Sequence, residues 1–521
     1  MFKHPQRLWL ISLVTAWLFD FLFWEKSPGI SFALYIAIVL AGGFILARQE
    51  GVRPARASLW LLLPLGLLSI LTFVRAEPFT RFLDHLLALA FLAMFAYTFL
   101  GGRWREYKLS DYIVNLFRLG INLLVLPIKL IRMDRQQPPS EERTNTRKKA
   151  YGLLRGIVLA IPILALFASL LAAADPVFSR GLNDFLEIFH IENLPEYLFR
   201  GTYILILTYF LSGALLHALT ASHEECLTSQ DKPWIPPFLG ALETTVVLCS
   251  VDVLFAIFVG VQFRYFFGGE RNISFEGFTY SEYARRGFGE LVAVAFLSLL
   301  FLLAFSAITH RETRTQRRTF SGLAIALVSL VCVILVSAFQ RLSLYEEAYG
   351  FTRLRTYSHV FMIWLGLLLI TVVVLELRQR MHAFALAALV ATLGFSLSLN
   401  VLNVDGFITH QNISRTQRGE ELDVTYLLQL SDDAVPVLLK YYTDSRLSPD
   451  LHEQLSVALA CYATPRDSDT PTPWQSFHLS HVRAQRLLQP YQEDLASLLT
   501  RKYGSWWVKT QREEISCDVF D

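Results

Sequence analysis

The sequence predicts an all-α fold, a polytopic transmembrane helical bundle of about eleven spans followed by a small C-terminal helical module outside the membrane. Three observations predict it. Of the 521 residues, 53% are hydrophobic and 18% charged, with a mean hydropathy of +0.40, whereas a soluble chain is about a quarter charged. The apolar residues fall in blocks of roughly 17–25, the length of helix that crosses about 30 Å of hydrocarbon. Those blocks show no period-two alternation, which excludes a transmembrane barrel. A net charge of +2 gives no footprint for nucleic acid. Five cysteines without CxxC spacing argue against a zinc or redox motif.

The expected spans are roughly 8–24, 30–47, 58–74, 82–100, 153–174, 201–219, 241–266, 288–308, 320–338, 357–376 and 383–402. Leu8–Trp24 has no small-residue cleavage site and reads as a retained span rather than a signal peptide. Pro64 and Pro162 fall inside spans and predict kinks. Tyr112–Ile131 carries Asn115, Arg118, Asn122 and Lys129 and reads as an interfacial amphipathic helix. Reading it as a span would reverse everything after it. Asp134–Lys149 reads as a charged, proline-containing cytoplasmic linker. It separates a front section, 1–133, from a seven-span main domain, 150–403; the module is 404–521.

In that module Val424–Tyr442, Asp450–Tyr462 and Ser480–Leu499 have helical apolar spacing. Orientation follows from Lys and Arg in the short loops. With the N-terminus cytoplasmic, the inside loops hold roughly twice as many basic residues as the outside loops. The C-terminus is then extracytoplasmic, and Cys461 and Cys517 stand in an oxidising space where they either pair or remain free.

Ionisable residues within spans are the first candidates for chemistry. Asp252 lies near the centre of Ala241–Phe266 and suits a proton or cation site, or a hydrogen bond that fixes packing. Asp20 and Glu376 lie close to span ends. His217 has no metal-ligating partner at i+3 or i+4 and reads as a core histidine. A second constellation gathers at the outer side. Tyr283, Arg286 and Glu290 share a helix face at the polar entry to the span that ends at Ile308. Arg341, Tyr345, Glu346 and Tyr349 precede a helix stop at Gly350; Arg353 and Arg355 open the next span; Asn403 and Asp405 close the last. Carboxylates, arginines, tyrosines and amides together suit a polar headgroup or anion, or equally a salt-bridge network that locks helix ends together. No HExxH, Walker A, dinucleotide or nucleophile–base motif stands in the chain, so no cofactor, metal or catalytic residue is assigned and the reading leans away from an enzyme.

The segments Tyr283–Leu291, Arg341–Arg355, Asn400–Asn412 and Asp423–Leu438 resemble bacterial membrane proteins grouped as domain of unknown function 4173. The resemblance covers roughly 150–440. It implies a multi-pass protein of the bacterial plasma membrane without an established activity. The expected function is binding or transport of a small polar solute or lipid headgroup. The alternatives are a membrane-anchored sensor or scaffold whose module binds a protein partner, and an intramembrane lipid-modifying enzyme.

Overall fold

The structure, a computed structural model, describes residues 5–136, 194–223, 237–267, 288–464, 472–502, 505–509 and 514–517, with isolated positions between 156 and 181. Eleven of the described helices are long and apolar enough to cross a membrane. They are α1 (Pro5–Phe23), α2 (Ile30–Glu50), α3 (Arg56–Val74, in two pieces that meet at Trp60 and Leu61), α4 (Pro78–Tyr97), α5 (Leu109–Gln136), α6 (Leu194–Leu216), α7 (Ala241–Phe267), α8 (Phe288–Ile308), α9 (Arg314–Tyr349), α10 (Arg353–Leu377) and α11 (Phe384–Leu402). Their outward side chains are apolar and uncovered, Leu63, Leu198, Leu242, Leu297 and Val401 among them. That is the surface a helix turns to lipid, and the protein is a multi-pass membrane protein.

Local chemistry sets the helix ends. Glu77 caps α4 by accepting from the amides of Phe79 and Thr80, with Pro78 in the first turn. Thr313 and Gln316 form a reciprocal capping box at the start of α9. Gly350 ends α9 at φ +81°. Asn403, at φ +52°, makes the turn from α11 into α12 (Val404–Thr416).

The chain forms two compact units. The first comprises Met1–Trp24, Ile38–Arg53 and Phe117–Ala221. Here α1 packs on α6, and Arg200 reaches both oxygens of buried Asp20 at 3.0 and 2.5 Å. Tyr203 donates to the same carboxylate. Asp20 is thus a buried partner of Arg200 rather than a lone interfacial acid.

The helix α5 departs from expectation. Its stretch Leu109–Met133 is long and apolar enough to span, where the sequence reading has an interfacial helix; the reversal expected of such a span does not follow, because Ala76 ahead of it and Arg353 and Asn403 after it all bond to the module or its entry helix. Two polar residues that argue against a span are satisfied: Asn115 donates to the Asp111 carbonyl at 2.8 Å, and Asn122 meets His217 at 2.9 Å. Its contact with α6 has a particular geometry. The consecutive residues Asn122, Leu123 and Leu124 meet His217, Gly213 and Tyr209 respectively. The expected span 153–174 and the linker 134–149 lie almost wholly outside the described residues.

The second unit comprises Glu25–Ala37, Pro54–Leu116 and Ser222–Asp521. Its membrane core is the seam of α7, α8, α9 and α10, filled by Leu248, Leu299, Leu327, Val331, Ile334 and Leu369. A second core joins the end of α11 to the module, with Ile408, Ile413, Leu438, Leu455, Leu459 and Leu495. The module contains α13 (Val424–Leu428), α14 (Val435–Tyr442), α15 (Pro449–Tyr462), α16 (Leu479–Leu488) and α17 (Gln492–Ala496). Cys461 and Cys517 are disulfide-bonded, with Cα atoms 5.1 Å apart. The module is not wholly helical: β1 (Leu499–Lys502), β2 (Ser505–Lys509) and β3 (Glu514–Ser516) form an antiparallel sheet in that order.

Hydrogen bonds, and for Arg75 an ion pair, sort the helix ends of the second unit into two groups. Pro28, Arg75, Ala76, Arg353 and Asn403 bond to the module or to its entry helix α12. The opposite ends bond among themselves: Trp104 to Ala57, Leu100 to Ser222, Leu239 to Ile308 and Arg311 to Glu376.

Candidate functional site

The module face carries a buried polar network. The Arg353 guanidinium forks onto Asp405, Nε to Oδ1 at 2.8 Å and Nη2 to Oδ2 at 2.7 Å. Asp405 has no exposed surface, and its Oδ2 also accepts from the Ser431 amide at 2.7 Å. Glu77, besides capping α4, accepts from the Tyr357 hydroxyl. Asp433 accepts from the Ala76 amide and the Ser480 hydroxyl, both at 2.7 Å, and lies 3.6 Å from Arg75. Arg75 also donates to the Asn400 carbonyl at 2.9 Å. Each buried charge thus has a counter-charge or hydrogen-bond donors, the condition under which burying it is tolerable. The network ties α3, α4, α10 and α11 to the module.

Of the outer cluster expected from sequence, Arg353 and Asp405 belong to this network and Asn403 lies against it. Tyr345 lies beneath the Arg355 guanidinium, 4.0 Å from it, and edge-on to Tyr349 at 5.1 Å. Arg355 donates to the Gly350 carbonyl. Glu346 is buried, one oxygen 3.1 Å from His359 Nδ1 and the other without a hydrogen-bond partner. Arg341 donates to Gln262 at 2.8 Å. Asn403 packs its amide against Gly406. Glu290 is exposed in the first turn of α8. Tyr283 and Arg286 lie outside the described residues.

Several participants escaped the sequence reading. Glu77, Arg75 and Asp433 look like ordinary loop charges until their partners arrive from more than 270 residues away. Arg415 donates to the Glu347 and Ala348 carbonyls at the end of α9, at 2.9 and 3.1 Å. Asp84, within α4, accepts from Ser396 at 2.6 Å and from Asn400 at 3.0 and 3.1 Å. The rule that singled out Asp252 applies equally to Asp84 and would have found it.

Asp252 itself is 9% exposed, and neither carboxylate oxygen has a hydrogen-bond partner among the described residues. It shares a face of α7 with Leu248 and Val259, both in the seam core. His217 is satisfied by Asn122, as a core histidine should be. Among the described residues no cluster of His, Cys, Asp or Glu could hold a metal ion.

Beside the network lies an open cleft of about 480 Å³, bounded by Arg81, Asp432, Trp474, His478, His481 and Gln485. His481 Nδ1 pairs with Asp432 at 2.9 Å. His478 Nε2 donates to the Pro28 carbonyl at 3.0 Å, while its buried Nδ1 has no partner among the described residues. Burial, and then the nearby positive charge of Arg81, holds the His478 imidazole below its usual 6.5. The cleft offers donors, acceptors and the exposed face of Trp474 in a volume suited to a small molecule.

No curated protein and no solved structure matches the chain. A family model does match, over residues 62–441. The matched stretch takes in the motifs at 341–355 and 400–412, and it reaches back into α3, beyond the region of the expected resemblance. The family number expected from those motifs, 4173, is not the one found. With most of its length inside the match, the chain belongs to the family described as domain of unknown function, DUF4153.

Proposed function

We propose that this protein is a membrane-embedded binding protein that holds a small polar solute or lipid headgroup at the seam between its C-terminal module and its helix ends. The observation that carries the reading is the cleft bounded by Arg81, Asp432, Trp474, His478 and His481. The Arg353–Asp405 fork and the Asp433 contacts beside it are consumed internally, so they hold the cleft walls rather than meet ligand. The module face is extracytoplasmic. Two observations support that side: Arg56, Arg103, Arg311, Arg314, Arg378 and Arg380 all belong to the opposite helix ends, and the module carries a disulfide.

The test is thermal unfolding of the full-length protein in detergent with phosphoethanolamine, glycerol phosphate and N-acetylglucosamine as probes. A saturable rise in melting temperature with at least one probe, absent in Arg81→Gln and His481→Gln, is the expected result. No rise with any of the three in folded wild-type protein counts against the cleft.

A second reading, proton or cation passage, is favoured by Asp252 and its two unpartnered oxygens. It predicts that Asp252→Cys, with Cys226, Cys249 and Cys332 replaced, reacts with a membrane-impermeant thiol reagent. Failure to react, while an exposed control cysteine does, removes that reading.

A further inference from the structure

The helix ends opposite the module enclose a groove of about 650 Å³. Its walls are the start of α5 at Lys108, the end of α8 from Leu303 to Ala307, the end of α10 at Glu376, and the start of α11 at Phe384. We propose that this groove is a binding site for an anionic glycerophospholipid of the leaflet on that side, with the phosphate at the rim and an acyl chain along the wall.

The chemistry is graded with depth. Leu303 stands five residues inside the end of α8, about 7 Å nearer the middle of the membrane. With Ala307, Phe384 and Ala385 it makes one side of the groove apolar. The rim is cationic. Arg311 is held there: one Nη donates to Glu376 at 3.0 Å, the other to Ser306, and its guanidinium lies 4.2 Å from the Phe320 ring. Glu376, the one acid lining the groove, is thereby neutralised and also accepts from Ser321 at 3.0 Å. Lys108 and His382 are exposed at the rim, and no carboxylate pairs with either among the described residues.

A free phosphate would use the rim and leave the apolar wall bare; a neutral lipid would use the wall and leave the Lys108 charge unanswered. An anionic phospholipid answers both, and basic pockets between helix ends are where such headgroups settle.

The test titrates the delipidated full-length protein in detergent with phosphatidylglycerol, phosphatidylcholine and inorganic phosphate, read by native mass spectrometry. Phosphatidylglycerol should bind saturably and more tightly than phosphatidylcholine, and Lys108→Gln should weaken it roughly fivefold, the worth of about one interfacial cation. Ala307→Trp, a substitution at an exposed wall position, should block both lipids. Wild-type elution and melting temperature establish that each variant is folded, and Lys108→Arg should restore binding. Equal affinity for the two lipids, an unchanged Lys108→Gln, or displacement of phosphatidylglycerol by phosphate with Ala307→Trp still binding would each overturn the proposal.

Discussion

Arg353 shows how one residue can bear the docking of a whole module. Its forked contact meets a fully buried Asp405, a carboxylate that water cannot reach. Arg353→Ala leaves that carboxylate without its counter-charge and with the Ser431 amide still donating to it, and should cost about 3 kcal/mol. Arg353→Lys keeps the charge but loses the fork, so it should recover only part of the loss. Denaturant unfolding of the full-length protein checks both. Arg353 and Asp405 were legible in the sequence because charged residues at span ends need partners. Which partner each had was not legible, since the pairing depends on packing between segments 52 residues apart. His478 gives a pH dependence. Its folded value lies below 6.5 through burial and then Arg81, so between 6.5 and that lowered value the unfolded chain binds a proton that the folded chain refuses. Stability therefore falls as pH drops through 6.5 and is fully present above it. His478→Gln should flatten the slope of melting temperature against pH in that window; an unchanged slope would assign the effect to another group.

At the scale of elements, the end of α9 is the most instructive. A 36-residue helix leaves its last carbonyls without intrahelical partners. Arg415 and Arg355 supply donors to Glu347, Ala348 and Gly350, cations at the negative end of the helix. Gly350 is required twice over, by φ +81° and because a Cβ there would sit 2.9 Å from Arg415. Gly350→Ala and Arg415→Ala should each fray the last turn, costing about 1–2 kcal/mol, visible as faster amide exchange at residues 344–350 with the seam core unaffected. The stop at Gly350 was readable because glycine past an amphipathic run is a local signal. The β-sheet was not. Its strands are four, five and three residues long and directly follow helical periodicity, so period alone had nothing to separate them. The helix α5 was ambiguous for a different reason: its composition permits a span, while Asn122 is satisfied by His217, 95 residues on, which no window of sequence reveals.

For the whole molecule the question is which side the module occupies. In the second unit every described helix end that meets the module lies at a loop expected outside from charge alone, and Arg311, Arg314, Arg378 and Arg380 fall at the other ends. The helix-end sorting uses only hydrogen bonds and the Arg75 ion pair, and the charge asymmetry uses only composition, so their agreement is not circular. The Cys461–Cys517 bond adds a third line, because such bonds persist where thiols are not kept reduced. Cutting it with Cys461→Ser should lower stability by about 2–4 kcal/mol, since the crosslink closes a long loop in the unfolded chain. Side is settled by thiol labelling in intact cells, with Cys226, Cys249 and Cys332 replaced and the disulfide kept. Lys440→Cys, exposed on the module, should react with an impermeant reagent directly. Arg318→Cys, exposed in the first turns of α9, should react only after the membrane is opened. The reverse pattern would place the cleft in the cytoplasm and the phospholipid groove in the outer leaflet; both sites would survive as geometry, but the solutes and lipids able to reach them would change.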